Sequence, residues 1–255
     1  MNINWVGLYT FVRREVTRFF RVAVQTLVSP WISACLFIFI FGDVLGGSID
    51  AIGGVPYIQF VLPGILMMNV LTSAFSHTSS SLYFQRFARH IEEILVAPLS
   101  HIEMITGYVL GALLRGVVIG IGILVIGMFF DAVHLYSVSL FVFYIVAVSA
   151  VFALLGLLVG LWADNFEQLA ALTTFVITPL SFLGGMFNTL DMLPPILRTV
   201  TLWNPFFYFN DGLRYSMTGN HEAPLLVGLC IIVVLFVVLF TLVVTLFKRG
   251  WRLRA

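Results

Sequence analysis

Apolar runs of about 20 residues recur along the chain, separated by short polar connections. Each run is as long as a helix needs to cross the roughly 30 Å hydrocarbon core of a bilayer at a rise of about 1.5 Å per residue. Six such runs are placed at residues 22–45, 57–82, 102–130, 137–162, 169–185 and 224–247. A membrane β-barrel would instead show ten-residue segments of alternating polarity. The pattern predicts an all-α integral membrane protein, with residues 22–247 forming one transmembrane domain.

Ahead of the first run, residues 1–21 change period. Trp5, Leu8, Tyr9, Val12, Val16, Phe19 and Phe20 fall on one helical face, and Arg14, Arg18 and Arg21 fall largely away from it. A basic amphipathic helix with aromatic residues on its apolar side is expected in the membrane surface, drawn by anionic lipid. A positive segment before an apolar run also fits a signal peptide. The nearest small-x-small pattern, Gly46 to Ser48, lies too far along for that, so the segment reads as an uncleaved interfacial helix.

The longest charged segment between two spans runs from Phe84 to Glu103. Phe84, Phe87, Ile91, Ile94 and Leu95 follow three- and four-residue spacing, which predicts a short amphipathic helix carrying Arg86, Arg89, His90, Glu92 and Glu93 on its polar side. Pro98 disfavours helical geometry at Ala97 and ends it. Ser100 and Glu103 then form an S-x-x-E capping box that starts the next helix. The segment 84–101 reads either as a solvated loop or as a rigid docking element; a stripe, a stop and a cap within twenty residues favour docking.

Charge decides orientation. Thirteen Lys plus Arg against twelve Asp plus Glu give a net charge of +1, which argues for neither nucleic acid nor an acidic partner. With the N-terminus inside, the cytoplasmic segments hold Arg13, Arg14, Arg18, Arg21, Arg86, Arg89, Lys248, Arg249, Arg252 and Arg254, against Arg198 and Arg214 outside. The positive-inside rule therefore puts both termini, the basic tail 248–255 and the 84–103 segment in the cytoplasm. Cys35 and Cys230 lie inside apolar runs and read as small hydrophobes. No metal-ligand spacing is present.

Within the spans, Gly107/Gly111, Gly116/Gly120 and Gly156/Gly160 are GxxxG pairs that let helices approach closely, and Pro30 and Pro179 predict kinks. Residues 186–223 form the longest external segment. Its apolar pieces, broken by Pro194, Pro195 and Pro205, are too short to span and suit re-entrant or interfacial helices, either capping an exit path or forming a lid against lipid. Ionisable and polar groups inside spans are candidates for a translocation path: His77 within a hydroxyl-rich stripe, Arg115, and Thr174 and Thr178 in the fifth span. For Arg115 the favoured reading is one half of a buried pair with Asp164 or Glu167 at the end of the fourth span, since a long arginine can snorkel inward. No nucleophile elbow or zinc-binding helix is present. Lys248, the single lysine, lies between Phe247 and Arg249 and cannot serve a phosphate-binding loop. If ATP drives this protein, the motor is another polypeptide. Paired carboxylates deep in a span, which proton coupling would need, are absent from the sequence; an ion- or proton-coupled transporter and a non-transporting membrane scaffold are the alternatives.

The EEILVAPLS segment at Glu92–Ser100, FVLPGILMMNV at the start of the second span, and WNPFFYFNDGLRY before the sixth, with Asn204, Pro205 and Arg214, resemble the permease subunits of the ABC transporter type-2 family over nearly the whole chain. The resemblance implies export of a drug, lipid, glycan or other amphiphile across the bacterial cytoplasmic (inner) membrane. It implies a homodimer and two copies of a separate ATPase subunit that carries the ATP and Mg, so this chain would be a transport subunit and not an enzyme, with no cofactor of its own. It further implies that Arg86, Arg89, Glu92, Glu93 and Pro98 belong to a coupling helix seated in that ATPase, with the N-terminal helix beside it.

Overall fold

The computed structural model describes residues 4–44 and 51–253. Six helices in it are long and apolar enough to cross a membrane: Val24–Gly42, Tyr57–Phe87, His101–Phe129, Val138–Trp162, Phe166–Leu183 and Leu225–Arg249. These are the first to sixth spans below, and each overlaps its predicted run. The predicted end of the first run at Leu45, the Gly46–Ser48 pattern and the tail residues Arg254 and Ala255 lie outside the described residues. An amphipathic helix, Trp5–Arg21, precedes the spans, and two shorter helices, Pro195–Trp203 and Pro205–Thr218, lie between the fifth and sixth.

The predicted amphipathic helix beginning at Phe84 divides in two. The second span continues without a break to Phe87, and a six-residue helix, Ile91–Val96, follows. Arg89 between them adopts a left-handed backbone with φ 59°, which ends the first helix and turns the chain into the second. The stripe splits with it: Phe84 and Phe87 are exposed, whereas Ile91 and Ile94 are buried. Downstream the expected stop and start both hold. Ala97 is extended before Pro98, and the Ser100–Glu103 capping box is fully formed.

The second span is the mast of the fold. It packs along the fourth span over most of its length and also touches the first, third and fifth spans and the Pro205–Thr218 helix. Glycines set these approaches. A Cβ on Gly156 would lie 2.5 Å from the Phe75 carbonyl oxygen, and one on Gly160 would lie 2.9 Å from that of Ser79. Thr78 exploits the closeness, donating its hydroxyl to the Ala153 carbonyl at 2.8 Å. Gly107 and Gly111 do something different: they face the N-terminal helix, with Phe11 and Glu15 one turn apart seated over them.

The first and fifth spans share a local device. Each has a five-residue π-turn, Val24–Val28 or Thr173–Ile177, directly before the segment that carries Pro30 or Pro179. Ser29 donates to the Val24 carbonyl and Thr178 to that of Thr173, a reach of five residues where an α-helix reaches four. Widening the turn makes room for a proline ring that would otherwise strike the preceding carbonyl.

Glycine geometry yields a direct test. Gly156→Ala forces backbone against backbone and should lower stability by roughly 1–3 kcal/mol. Gly120→Ala meets nothing closer than a Val70 methyl at 3.8 Å and should leave the melting temperature in detergent unchanged. Equal melting of the two variants would show that the crossing is not this tight.

Candidate functional site

Glu15 is the polar centre of the half of the molecule that holds the N-terminal helix and the tail. It lies on the face of the N-terminal helix shared by Phe11 and Phe19, and that stripe is buried while Trp5, Tyr9 and Phe20 remain exposed. Its carboxylate has no solvent exposure. Ser81 donates to Oε2 at 2.7 Å and Gln85 to Oε1 at 3.2 Å, while the Arg18 guanidinium stands 3.2 Å away and His77 Nε2 3.4 Å away. Tyr108 donates to the far side of Gln85, so the network ties the N-terminal helix to the second and third spans. Arg18 also donates to the His77 carbonyl at 3.0 Å. Burial by itself would raise the Glu15 pKa, but the His77 hydrogen bond, the Arg18 charge and the Ser81 hydroxyl outweigh it and hold the carboxyl at about 2.

A second tie fixes the start of the same helix. Glu103, whose Oε2 accepts from the Ser100 amide in the capping box, offers Oε1 to the Asn4 amide at 2.6 Å. The Asn4 side chain caps its own helix through the Gly7 amide and donates to the Pro98 carbonyl at 3.0 Å. The Ser100 and Asn4 amides thus share the two oxygens of one carboxylate. The helix Ile91–Val96 is thus clasped between the N-terminal helix and the third span. Ile91 and Ile94 point into an apolar cluster with Phe11, Met104 and Tyr108, and Glu92, Glu93, Val96 and Pro98 face outward.

Arg86 turns inward. Its guanidinium donates to the carbonyls of Gly160 and Ala163 at the end of the fourth span and to that of Arg252 in the tail, at 2.7, 3.3 and 2.7 Å. Arg252 donates in turn to the Trp162 carbonyl and pairs with Asp164 at 3.0 Å. Leu253 is buried in the same cluster as Ile91 and Ile94, so the tail is latched beneath the short helix. Arg89, by contrast, is exposed.

The remaining expected positions fall elsewhere. His77 is fully buried inside the Glu15 network. Arg115 makes no ion pair among the described residues: Asp164 is taken by Arg252, and Glu167 is exposed on the first turn of the fifth span. The expected Asp164 or Glu167 pairing is therefore absent. Thr174 is exposed, and Thr178 donates to the Thr173 carbonyl within the π-turn. At the opposite end, Asn204 caps the Pro205–Thr218 helix through the Phe206 amide and donates to the Leu180 carbonyl at 2.7 Å. Arg214, 2% exposed, lies over the Phe60 ring at 3.8 Å, donates to the Gly185 carbonyl and pairs with Glu222 at 3.4 Å. Asp211 accepts from the amides of Glu222 and Ala223, which folds the following loop back onto the helix. These side chains staple the 186–223 segment to the second span.

Neither Glu15 nor Asn4 stands out as a site residue in the sequence, where a lone acid among arginines looks like a surface pair. The available signal was its position: Glu15 is the one acidic residue among the first 42 and interrupts the Phe11–Phe19 stripe.

Comparison with known proteins bears on the whole chain. The family model described as ABC-2 type transporter matches residues 7–218. The inner membrane transport permease YadH of Escherichia coli K12 is 38% identical over 255 residues, covering all of both chains. Nodulation protein J of Rhizobium leguminosarum bv. viciae is 23% identical over 97% of this chain and 95% of its own. Its counterpart in Rhizobium meliloti is 27% identical over 85% of this chain and 82% of its own.

The Glu15 network makes two linked predictions. Glu15→Ala should cost about 3–5 kcal/mol, because it leaves Arg18 and several buried donors unpaired. A carboxyl held at about 2 against an ordinary 4.5 contributes stability that is fully present above pH 4.5 and is lost as pH falls toward 2. Acid melts of the detergent-purified protein should show that loss in the wild type and a flatter limb in Glu15→Gln. Parallel limbs would place the acid sensitivity elsewhere.

Proposed function

The chain belongs to the ABC-2 type transporter family, and from that premise we propose that it is the membrane-spanning permease subunit of an ATP-driven exporter, worked by a separate ATPase. It is a transport subunit rather than an enzyme. We assign it to the inner membrane as a multi-pass protein with both termini cytoplasmic, acting as a homodimer with two ATPase copies. The substrate class we assign is amphiphilic: a drug, lipid or glycan.

The observation that carries this reading is the clasped helix Ile91–Val96. A solvated loop would leave such a segment tethered only at its ends. Here its inner face is buried, its start follows a left-handed turn, its end is fixed by Pro98 and the capping box, and the tail closes beneath it. Its outer face offers the exposed pair Glu92 and Glu93. A rigid cytoplasmic protrusion joined without slack to the second and third spans can carry a push from a motor into the membrane. That push would reach the external segment through the second span, onto which Arg214 is stapled at Phe60. In this reading Trp5–Arg21 is the interfacial helix and Pro195–Trp203 with Pro205–Thr218 are the re-entrant pieces. Arg86 and the Arg252–Asp164 pair hold the coupling helix from behind, and Glu92, Glu93 and Arg89 meet the ATPase.

The test is a pull-down of the detergent-solubilised permease with the products of its neighbouring genes, followed by an ATPase assay on the eluate. Reversing charge with Glu92→Lys and Glu93→Lys should abolish ATPase binding and stimulation while membrane insertion and melting temperature stay unchanged. Unaltered stimulation would remove the role assigned to the protrusion. A permease that comes down alone, with flux that collapses with an ion gradient, would favour the ion-coupled reading.

A further inference from the structure

The structure holds a cationic cleft that shares only Glu93 with the coupling reading, which makes no use of its arginines. It measures about 510 Å³ and opens between the N-terminal helix and the 84–93 segment. Arg13, Arg14, Arg18 and Arg21 line one wall, and His90 and Glu93 face them. Glu15 is buried yet compensates part of this wall: its carboxylate stands 3.7 Å from the Arg14 guanidinium and 3.2 Å from that of Arg18, which leaves Arg13 and Arg21 as the uncompensated cations of the cleft. Arg13 and Arg21 make no hydrogen bond or ion pair among the described residues, and the Arg18 Nε is buried without a partner. A cluster of guanidiniums with donors left over is the chemistry of a phosphate site, because planar forked donors match phosphate oxygens.

The position of the cleft selects the source of that phosphate. Arg21 comes three residues before the first span begins at Val24, about 4.5 Å of helix, so its end of the cleft lies where the chain enters the membrane. Trp5, Tyr9 and Phe20 are exposed on the same helix, as side chains with an apolar body at the headgroup level would be. We infer that this cleft is a binding site for the headgroup phosphate of an anionic phospholipid of the inner leaflet, with Arg13 and Arg21 as its principal ligands. The inference is independent of the ATPase: it concerns a lipid held at the hinge between the N-terminal helix and the first span.

Native mass spectrometry of the full-length protein tests it, using protein released from micelles containing equal amounts of phosphatidylglycerol and phosphatidylcholine. The wild type should retain phosphatidylglycerol in preference to phosphatidylcholine. Arg13→Gln with Arg21→Gln should reduce that retention by about tenfold or more, in line with the weight of two arginines at an anionic surface. Because neither residue is engaged within the protein, the melting temperature should not move. Lys248→Gln with Arg249→Gln, at the other basic segment, should leave retention as it was. Equal retention of both lipids, or retention that survives the double variant, would overturn the site. Displacement by millimolar inorganic phosphate would reassign it to a soluble anion. Loss of ATPase pull-down in the same variant without any lipid selectivity would reassign it to a protein partner.

Discussion

A carboxylate sealed from water must be surrounded by donors, and Glu15 finds them on two helices, with a third joined one hydrogen bond further out. Its own helix supplies Arg18, the second span supplies His77, Ser81 and Gln85, and the third span reaches in through Tyr108. Most of the architecture at this end of the molecule follows from meeting that demand. The N-terminal helix is held close enough to occupy the Gly107–Gly111 groove, which leaves its start beside Pro98 and the capping box. There Asn4 and Glu103 add the second tie. Without the first tie the helix would be one more amphipathic segment floating in the headgroups; with it, the helix becomes a wall of the protein.

The two ends of the molecule use buried charge in opposite ways. At the end that holds the N-terminal helix an acid draws cations and donors inward. On the other side a base, Arg214, is enclosed by carbonyls, the Phe60 ring and Glu222. Both clusters rest on the second span, His77 and Ser81 near one end and Phe60 near the other. A displacement of that helix along its axis would have to break or carry both. It is therefore the element through which the two faces of the membrane are in register.

Local rules in the sequence reach a good part of this. Spans could be read because length and apolarity alone decide them, and the Ser100–Glu103 box because both partners lie within four residues. Pro98 stops its helix through a clash with its immediate neighbour. What stayed hidden depends on distance in sequence. The stripe from Phe84 to Leu95 obeys helical spacing throughout, and only the left-handed turn at Arg89 separates its exposed half from its buried half. Arg86 carries a charge that reads as outward-facing, yet it is spent on carbonyls of the fourth span and the tail, more than 70 residues away. Arg115 makes no ion pair among the described residues, while Asp164, one of its expected partners, pairs with Arg252 from the tail, 88 residues on, which no spacing reveals. The GxxxG pairs announced close packing but not with whom; one of the three serves a helix outside the transmembrane bundle.

The paired π-turns of the first and fifth spans have a mechanical meaning. In hydrocarbon no water can replace a lost backbone bond, so a membrane helix bends only where its ladder has already been loosened at a fixed place. Each of these spans has such a place immediately before its proline, the first span a second one at Ile40–Val44, and each is lightly covered by the rest of the chain. The second and fourth spans, locked together by glycines and the Thr78 hydroxyl, have no such slack between them. The bundle thus combines a stiff keel with two compliant flanks, and any flexing of one copy is steered to those flanks before it can reach the keel.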